Sequence, residues 1–168
     1  MNGVKSAAGW IKSLRLEPHP EGGHYREVYR SAEFVSGRDL PPRYGGRRPF
    51  STSIYFLLKA GEISRLHRLK ADEVWHFYAG GPVRLSMISP DGILTTVRLG
   101  RHPEEGTRLQ TVVPSGFWFG AELVRRRSYA LVGCTLAPGF DFADIELGRC
   151  ADLIELYPRH KNIILRLT

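Results

Sequence analysis

Cysteine is scarce in this chain. There are two in 168 residues, Cys134 and Cys150, too far apart for a CxxC redox or ligand pair. Cys134 sits in the apolar run YALVGCTLA, where a small buried thiol is common, and no structural disulfide is expected. Long hydrophobic runs are missing as well. The opening residues MNGVKSAAGWIKSL break their apolar positions with Gly9, Lys12 and Ser13, unlike the continuous apolar stretch of a secretory signal. Nothing elsewhere approaches the length of a membrane-spanning helix, so a cytoplasmic protein with no membrane association is expected. Acidic residues are in deficit, 17 against 24 Lys plus Arg, for a net charge of +7. That balance raises the question of nucleic acid. The basic residues, however, group as Arg38, Arg43, Arg47 and Arg48 in a Pro/Gly-rich loop and as Arg125, Arg126 and Arg127. Aromatics do not interleave them, and no zinc-finger or helix-turn-helix pattern accompanies them. They read as solvated loop charge, and no nucleic-acid partner is expected.

What the sequence does contain is strand signal. The segments 51–58, 73–79, 83–89, 93–99, 109–113, 117–123 and 128–136 are short and rich in β-branched or aromatic residues. Turn residues separate them, most clearly Ser89-Pro90-Asp91-Gly92, which predicts a hairpin. Strands this closely spaced, with no helices between them, predict an all-β antiparallel sandwich or barrel. Helical spacing is confined to the ends. Ala7, Trp10, Ile11 and Leu14 predict a helix at about 5–15, stopped by Pro18, and two amphipathic segments broken at Pro158 predict helices within about 150–167. Nothing repeats internally, and the length fits one domain, 1–168, with the barrel over about 20–147. The loop 36–49 has little to bury and is predicted to be disordered.

The stretch GEISRLHRLKADEVWHFYAGG, residues 61–81, concentrates histidines, carboxylates and aromatics. Five residues separate Gly61 from His67, one separates His67 from Leu69, three lead on to Glu73 and six more to Gly80. That spacing resembles the first motif of the cupin superfamily, with Leu69 where metal-binding members carry a second histidine. The turn Pro114-Ser115-Gly116 resembles the second motif, with Phe119 in the place of its histidine. Longer boxes, LEPHPEGGHYRE (16–27), HRLKADEVWHFYAG (67–80), VVPSGFWFGAEL (112–123) and GCTLAPGFDFADIEL (133–147) among them, resemble one cupin subfamily catalogued as a domain of unknown function. The resemblance implies an antiparallel double-stranded β-helix, the cupin or jelly-roll barrel, with short terminal helices. It also implies a homodimer, in which the N-terminal strand brings Glu21 and Arg26 toward a pocket rim.

Strand alternation puts Glu73, Trp75 and Phe77 on one face and His76 on the other, so His67 and His76 are not a ligand pair. Only His67 and Glu73 remain of the usual metal-ligand set, and Leu69 and Phe119 have no lone pair to offer. No tightly held metal or other cofactor is expected; a divalent ion, if present, falls to His67 and Glu73, with waters or Glu122 completing its shell. The remaining reading is an aromatic pocket for a small molecule of sugar- or nucleotide-like shape. His67 and Glu73 stand in it among Tyr55, Trp75, Phe77, Phe117 and Phe119. Two alternatives stand beside it. One is an epimerase or isomerase resembling the sugar-nucleotide enzymes, with His67 as base, Glu73 orienting it and Tyr55 returning the proton. The other is a metal-dependent cupin enzyme.

Overall fold

Period-two alternation and turn glycines organise most of the chain into strands. The computed structural model describes residues 6–125 and 128–168; Arg126 and Arg127 of the second basic cluster, and residue 5 at the start of the expected first helix, lie outside the described residues. In chain order the elements are helix α1 (Ala7–Leu14), strands β1 (Glu17–Pro18), β2 (His24–Arg30), β3 (Phe34–Val35), β4 (Arg48–Pro49), β5 (Thr52–Lys59), β6 (Ile63–Leu69), β7 (Glu73–Gly80), β8 (Val83–Ile88), β9 (Leu94–Leu99), β10 (Gln110–Val113), β11 (Trp118–Leu123), β12 (Tyr129–Leu136) and β13 (Ile145–Leu147), then helices α2 (Cys150–Leu156) and α3 (Lys161–Leu167). All seven expected strands form. Among the described residues α-helix is confined to the two ends, and only single 3-10 turns interrupt the barrel region. No helix of the described residues is long and apolar enough to cross a membrane.

Two antiparallel sheets face each other. One runs β1-β2-β5-β12-β7-β10, the other β13-β6-β11-β8-β9, and a short β3-β4 ribbon stands apart. Alternation sends Phe56, Leu58, Trp75, Phe77, Leu85, Phe119 and Val132 into the space between the sheets and the intervening residues outward. Both outer faces receive helices. Trp10, Ile11 and Leu14 of α1 pack on Leu57 and Leu131, while Leu153, Ile164 and Leu167 of α2 and α3 cover Leu66, Ile88 and Trp118. This is the antiparallel jelly roll that the sequence implied.

Two irregularities bear on the site. A register shift in β2 between Glu27 and Tyr29 leaves Val28 extra, so Arg30 returns to the face that carries Tyr25 and Glu27. A second shift, where β6 pairs with β11, places Ser64 and His67 on the inner face although they are three residues apart.

The expected disorder of 36–49 is corrected by the structure. Arg48 is buried, and its Nε and Nη2 each donate to the Asp144 carboxylate at 2.6 Å. Nη2 also reaches the Tyr44 carbonyl at 2.6 Å, and the Tyr44 ring is itself buried. The composition of the loop is indeed poor in apolar groups. What holds it is a paired buried charge, which composition does not report. Arg48 is accordingly not the solvated loop charge expected of it.

Candidate functional site

The sheets do not fill the space between them. At the end where β5 begins and β12 finishes, a cavity of about 230 Å³ remains. Its sides are apolar, made by Ile54, Phe56, Leu69, Leu136 and Ile145, with Phe140 and Phe142 at the segment that follows β12. His19, Glu21, His67 and Glu73 add ionisable groups to the lining, and Tyr25, Glu27 and Arg30 line it from β2.

His67 is buried, and both ring nitrogens are engaged. Nδ1 lies 2.7 Å from the Arg65 carbonyl and Nε2 lies 3.0 Å from Glu21 Oε2. The Ser64 hydroxyl donates to Glu21 Oε1 at 3.0 Å, and the Glu21 amide donates to His19 Nδ1 at 3.3 Å. Burial by itself lowers the His67 pKa, but the Glu21 charge and hydrogen bond, helped by the Arg65 carbonyl, outweigh it and raise the net value. In Glu21 the same pair works in reverse. Burial raises its pKa, and His67 overrides burial to hold the carboxylate below its ordinary range. His67 and Glu21 therefore form an imidazolium–carboxylate pair. His19 is driven the other way, its pKa lowered chiefly by burial.

Glu73 behaves differently. It is buried, and the Trp75 indole N–H donates to its Oε2 at 2.6 Å. Burial first, then repulsion from Glu21, push its pKa up to about 7, against the smaller opposing effects of His67 and Trp75. No described residue bonds the other oxygen, and burial holds this carboxyl toward its protonated form, a hydrogen-bond donor at the cavity wall. Cys134 also lines the cavity, where burial pushes its thiol pKa well up; it is an apolar wall group rather than a nucleophile.

Several expected placements change. His67 and Glu73 do meet at one cavity, but the carboxylate that orients His67 is Glu21, not Glu73. Glu21 arrives from the chain before β2, and the Gly22-Gly23 pair seats it there. Tyr55 and Arg26 lie opposite one another across β2 and β5 on the outer face, where Tyr55 packs under α1 and Arg26 donates to the Leu14 carbonyl. Trp75, Phe77, Phe117 and Phe119 do not line the cavity. They belong to or pack against the core between the sheets, and Phe119 lies behind His67, the rings tilted by 55° with centroids 4.0 Å apart. His76 faces outward, as alternation implied. His19, Phe140 and the Glu27–Arg30 pair were missed. His19 stands in the same HPEGGHYRE box as Glu21, which was the available signal; the β2 bulge that turns Arg30 inward left none.

The slots of a cupin metal site converge here as His67, Leu69, Glu73 and Phe119, but the donor set does not fit a tightly held ion. Two of the four positions lack lone pairs, and the His67 nitrogen that would face a metal is bonded to Glu21. Among the described residues no group of three or more His, Cys, Asp or Glu side chains is arranged to hold a metal ion.

The family described as cupin superfamily (DUF985) matches residues 8–148. A crystal structure of a Shewanella oneidensis protein superposes with a TM-score of 0.89 at 42% identity, covering 98% of both chains. A hypothetical protein from Leishmania major gives 0.89 at 39% identity over 97% of this chain and 98% of its own. An uncharacterized Saccharomyces cerevisiae protein is 28% identical over 144 residues, 80% of this chain and 71% of that one. Oxalate decarboxylase from Bacillus subtilis superposes with a TM-score of 0.55 at 19% identity over 90% of this chain and 36% of the enzyme, a likeness of fold alone.

Proposed function

The chain belongs to the cupin superfamily (DUF985), and from that premise we propose that it binds a small molecule in the cavity between its sheets, without a tightly bound metal ion. The observation that carries this reading is the cavity of about 230 Å³ into which buried, hydrogen-bonded ionisable groups project. Side chains such as Glu73 and His67 are costly to bury, and a fold built only for stability fills this space with hydrocarbon. A ligand that uses them gives the cost a purpose. The test is a thermal-shift screen of wild type and His67→Ala, combined with elemental analysis of both. A ligand that stabilises wild type and loses its effect in the variant supports the reading. Stoichiometric zinc, iron, nickel or manganese in wild type, absent from the variant, defeats the metal-free part.

One observation favours a second reading, proton-transfer catalysis of the isomerase or epimerase kind. His67 and Glu73 face one cavity with pKa values displaced by different surroundings, the arrangement that separates acid from base roles. In this version Tyr25, which lines the cavity, takes the part first given to Tyr55. Incorporation of solvent deuterium at a carbon of the bound ligand, abolished in Glu73→Gln, is the distinguishing measurement. A homodimer remains part of the proposal: the outer face of the six-stranded sheet leaves Tyr78 and Val112 exposed beyond α1, a surface suited to a second copy.

A further inference from the structure

We propose that the ligand of this cavity is an uncharged molecule the size of one six-membered ring, carrying a carbonyl or hydroxyl oxygen that meets the Glu73 carboxyl; this rests on the small-molecule reading above and narrows it.

Size comes first. A cavity of about 150 Å³ accommodates benzene, and drug-sized ligands occupy roughly 300 to 1,000 Å³. At about 230 Å³ this cavity takes one ring with one or two small substituents. A nucleotide sugar does not fit inside it.

Charge comes second. Apart from Glu73, which burial holds toward its neutral form, each charge lining the cavity already has its opposite. Glu21 is paired with His67 at 3.0 Å. Arg30 spends Nε and Nη2 on the two oxygens of Glu27, at 2.9 and 2.7 Å, and Nη1 on the Phe140 carbonyl at 3.0 Å. The guanidinium is therefore the bridge between β2 and the Phe140 segment rather than an open receptor for an anion. His19 is held toward its neutral form by burial. A ligand bearing a net charge brings an ion with no counter-ion into a space walled by Ile54, Phe56, Leu69 and Leu136, which is the costly arrangement.

Polarity comes third. Glu73 Oε2 accepts from Trp75, which leaves the acid proton to Oε1, the oxygen with no described partner. That O–H is a donor set among apolar walls, and its natural complement is a neutral oxygen acceptor on the ligand.

The experiment uses the full chain and four probes: cyclohexanone, cyclohexanecarboxylate, cyclohexylamine in its ammonium form, and uridine diphosphate glucose. Affinity is read by calorimetry, and location by the imidazole NMR resonances of His67, which move only when the cavity is occupied. The expected result is that cyclohexanone shifts His67 and binds at least about tenfold more tightly than either charged ring, while the nucleotide sugar leaves His67 unmoved. A charged ring that binds as tightly as the ketone overturns the charge assignment, and a nucleotide sugar that shifts His67 overturns the size. If cyclohexanone leaves His67 unmoved while a hit from the broader screen shifts it, this proposal fails and the binding reading survives; if no compound of either set moves His67, both fail.

Discussion

At Glu73 four influences compete, and their balance can be measured. Burial and the Glu21 charge raise its pKa; His67 and the Trp75 N–H lower it; the outcome is about 7 against an ordinary 4.5. Because the folded value lies above the unfolded one, the stability this group contributes is fully present below about pH 4.5. It is lost as pH rises toward 7, where the unfolded chain has released a proton that the folded one still holds. A shift of that size corresponds to roughly 3 kcal/mol. Glu73→Gln keeps an oxygen for Trp75 and removes the titration. Urea unfolding at pH 5 and pH 8 is expected to show wild type losing about 2.5 kcal/mol relative to the variant, part of the effect being already lost at pH 5; an unchanged difference means that the carboxyl is ionised throughout. His67 is tuned in the same direction by a different agent. In Glu21→Gln the charge that raises it is gone while burial remains, so the NMR titration midpoint of His67 is expected to fall below that of wild type. Should the midpoint stay where it is, Glu21 is not the controlling partner.

The segment between β1 and β2 is an element defined by its backbone. Gly22 has φ +105° and Gly23 φ +71°, a region where side chains are strained. A methyl on Gly22 runs into the Ile63 carbonyl, and one on Gly23 comes within 2.8 Å of the Leu57 carbonyl. This close approach lets the Glu21 carbonyl accept from the Arg65 amide at 2.8 Å, which holds the Glu21 side chain against His67. Gly22→Ala is expected to cost about 2 kcal/mol or more, and to lower the His67 midpoint as Glu21→Gln does. A destabilised variant whose midpoint is unmoved separates the turn from the site. The loop before β4 is fastened by other means. Arg48 and Asp144 form a buried pair, and the partly exposed Lys70 reaches it, its Nζ 3.2 Å from Asp144 Oδ1. Removing Arg48 leaves the buried Asp144 carboxylate with only the partly exposed Lys70 as counter-charge. Arg48→Ala is expected to destabilise by roughly 3 to 5 kcal/mol, with little dependence on salt because the pair is shielded from solvent. Thermal unfolding at low and high ionic strength checks both statements.

At the scale of the whole molecule, the helices are placed where the sheets would otherwise meet water. α2 and α3 seal the five-stranded sheet through Leu153, Ile164 and Leu167, whereas α1 covers only part of the other. Tyr78 and Val112 remain 45% and 47% exposed on that second face. The proposed homodimer uses this surface. Light scattering at micromolar concentration is expected to give about twice the 19.0 kDa chain mass, and Tyr78→Arg to return it toward a single chain. A wild-type mass near that of one chain removes the proposal.

The strands and their facing were legible in the sequence because both are local. Alternation from Glu73 to Phe77 and the glycine and proline turns act within a few residues, so a short window is enough to read them. The absence of a second and third ligand histidine at Leu69 and Phe119 was equally plain. Contacts between distant segments were not legible. Glu21 is the partner of His67 because a glycine pair lets the chain approach β6, and Arg48 is buried because Asp144 returns from the other end of the barrel to meet it. Phe77, which pattern alone cannot tell from a pocket wall, is core because the sheets close over it, and the partly buried Phe117 packs against that core from the turn before β11. Alternation in the sequence determined the facing along β7, from Glu73 to Phe77, but not that of Tyr55, Arg26 and Arg30. Only the tertiary structure decided which side chains meet and where the space between them stays open, since packing sums over residues far apart in the chain, while alternation records only neighbours.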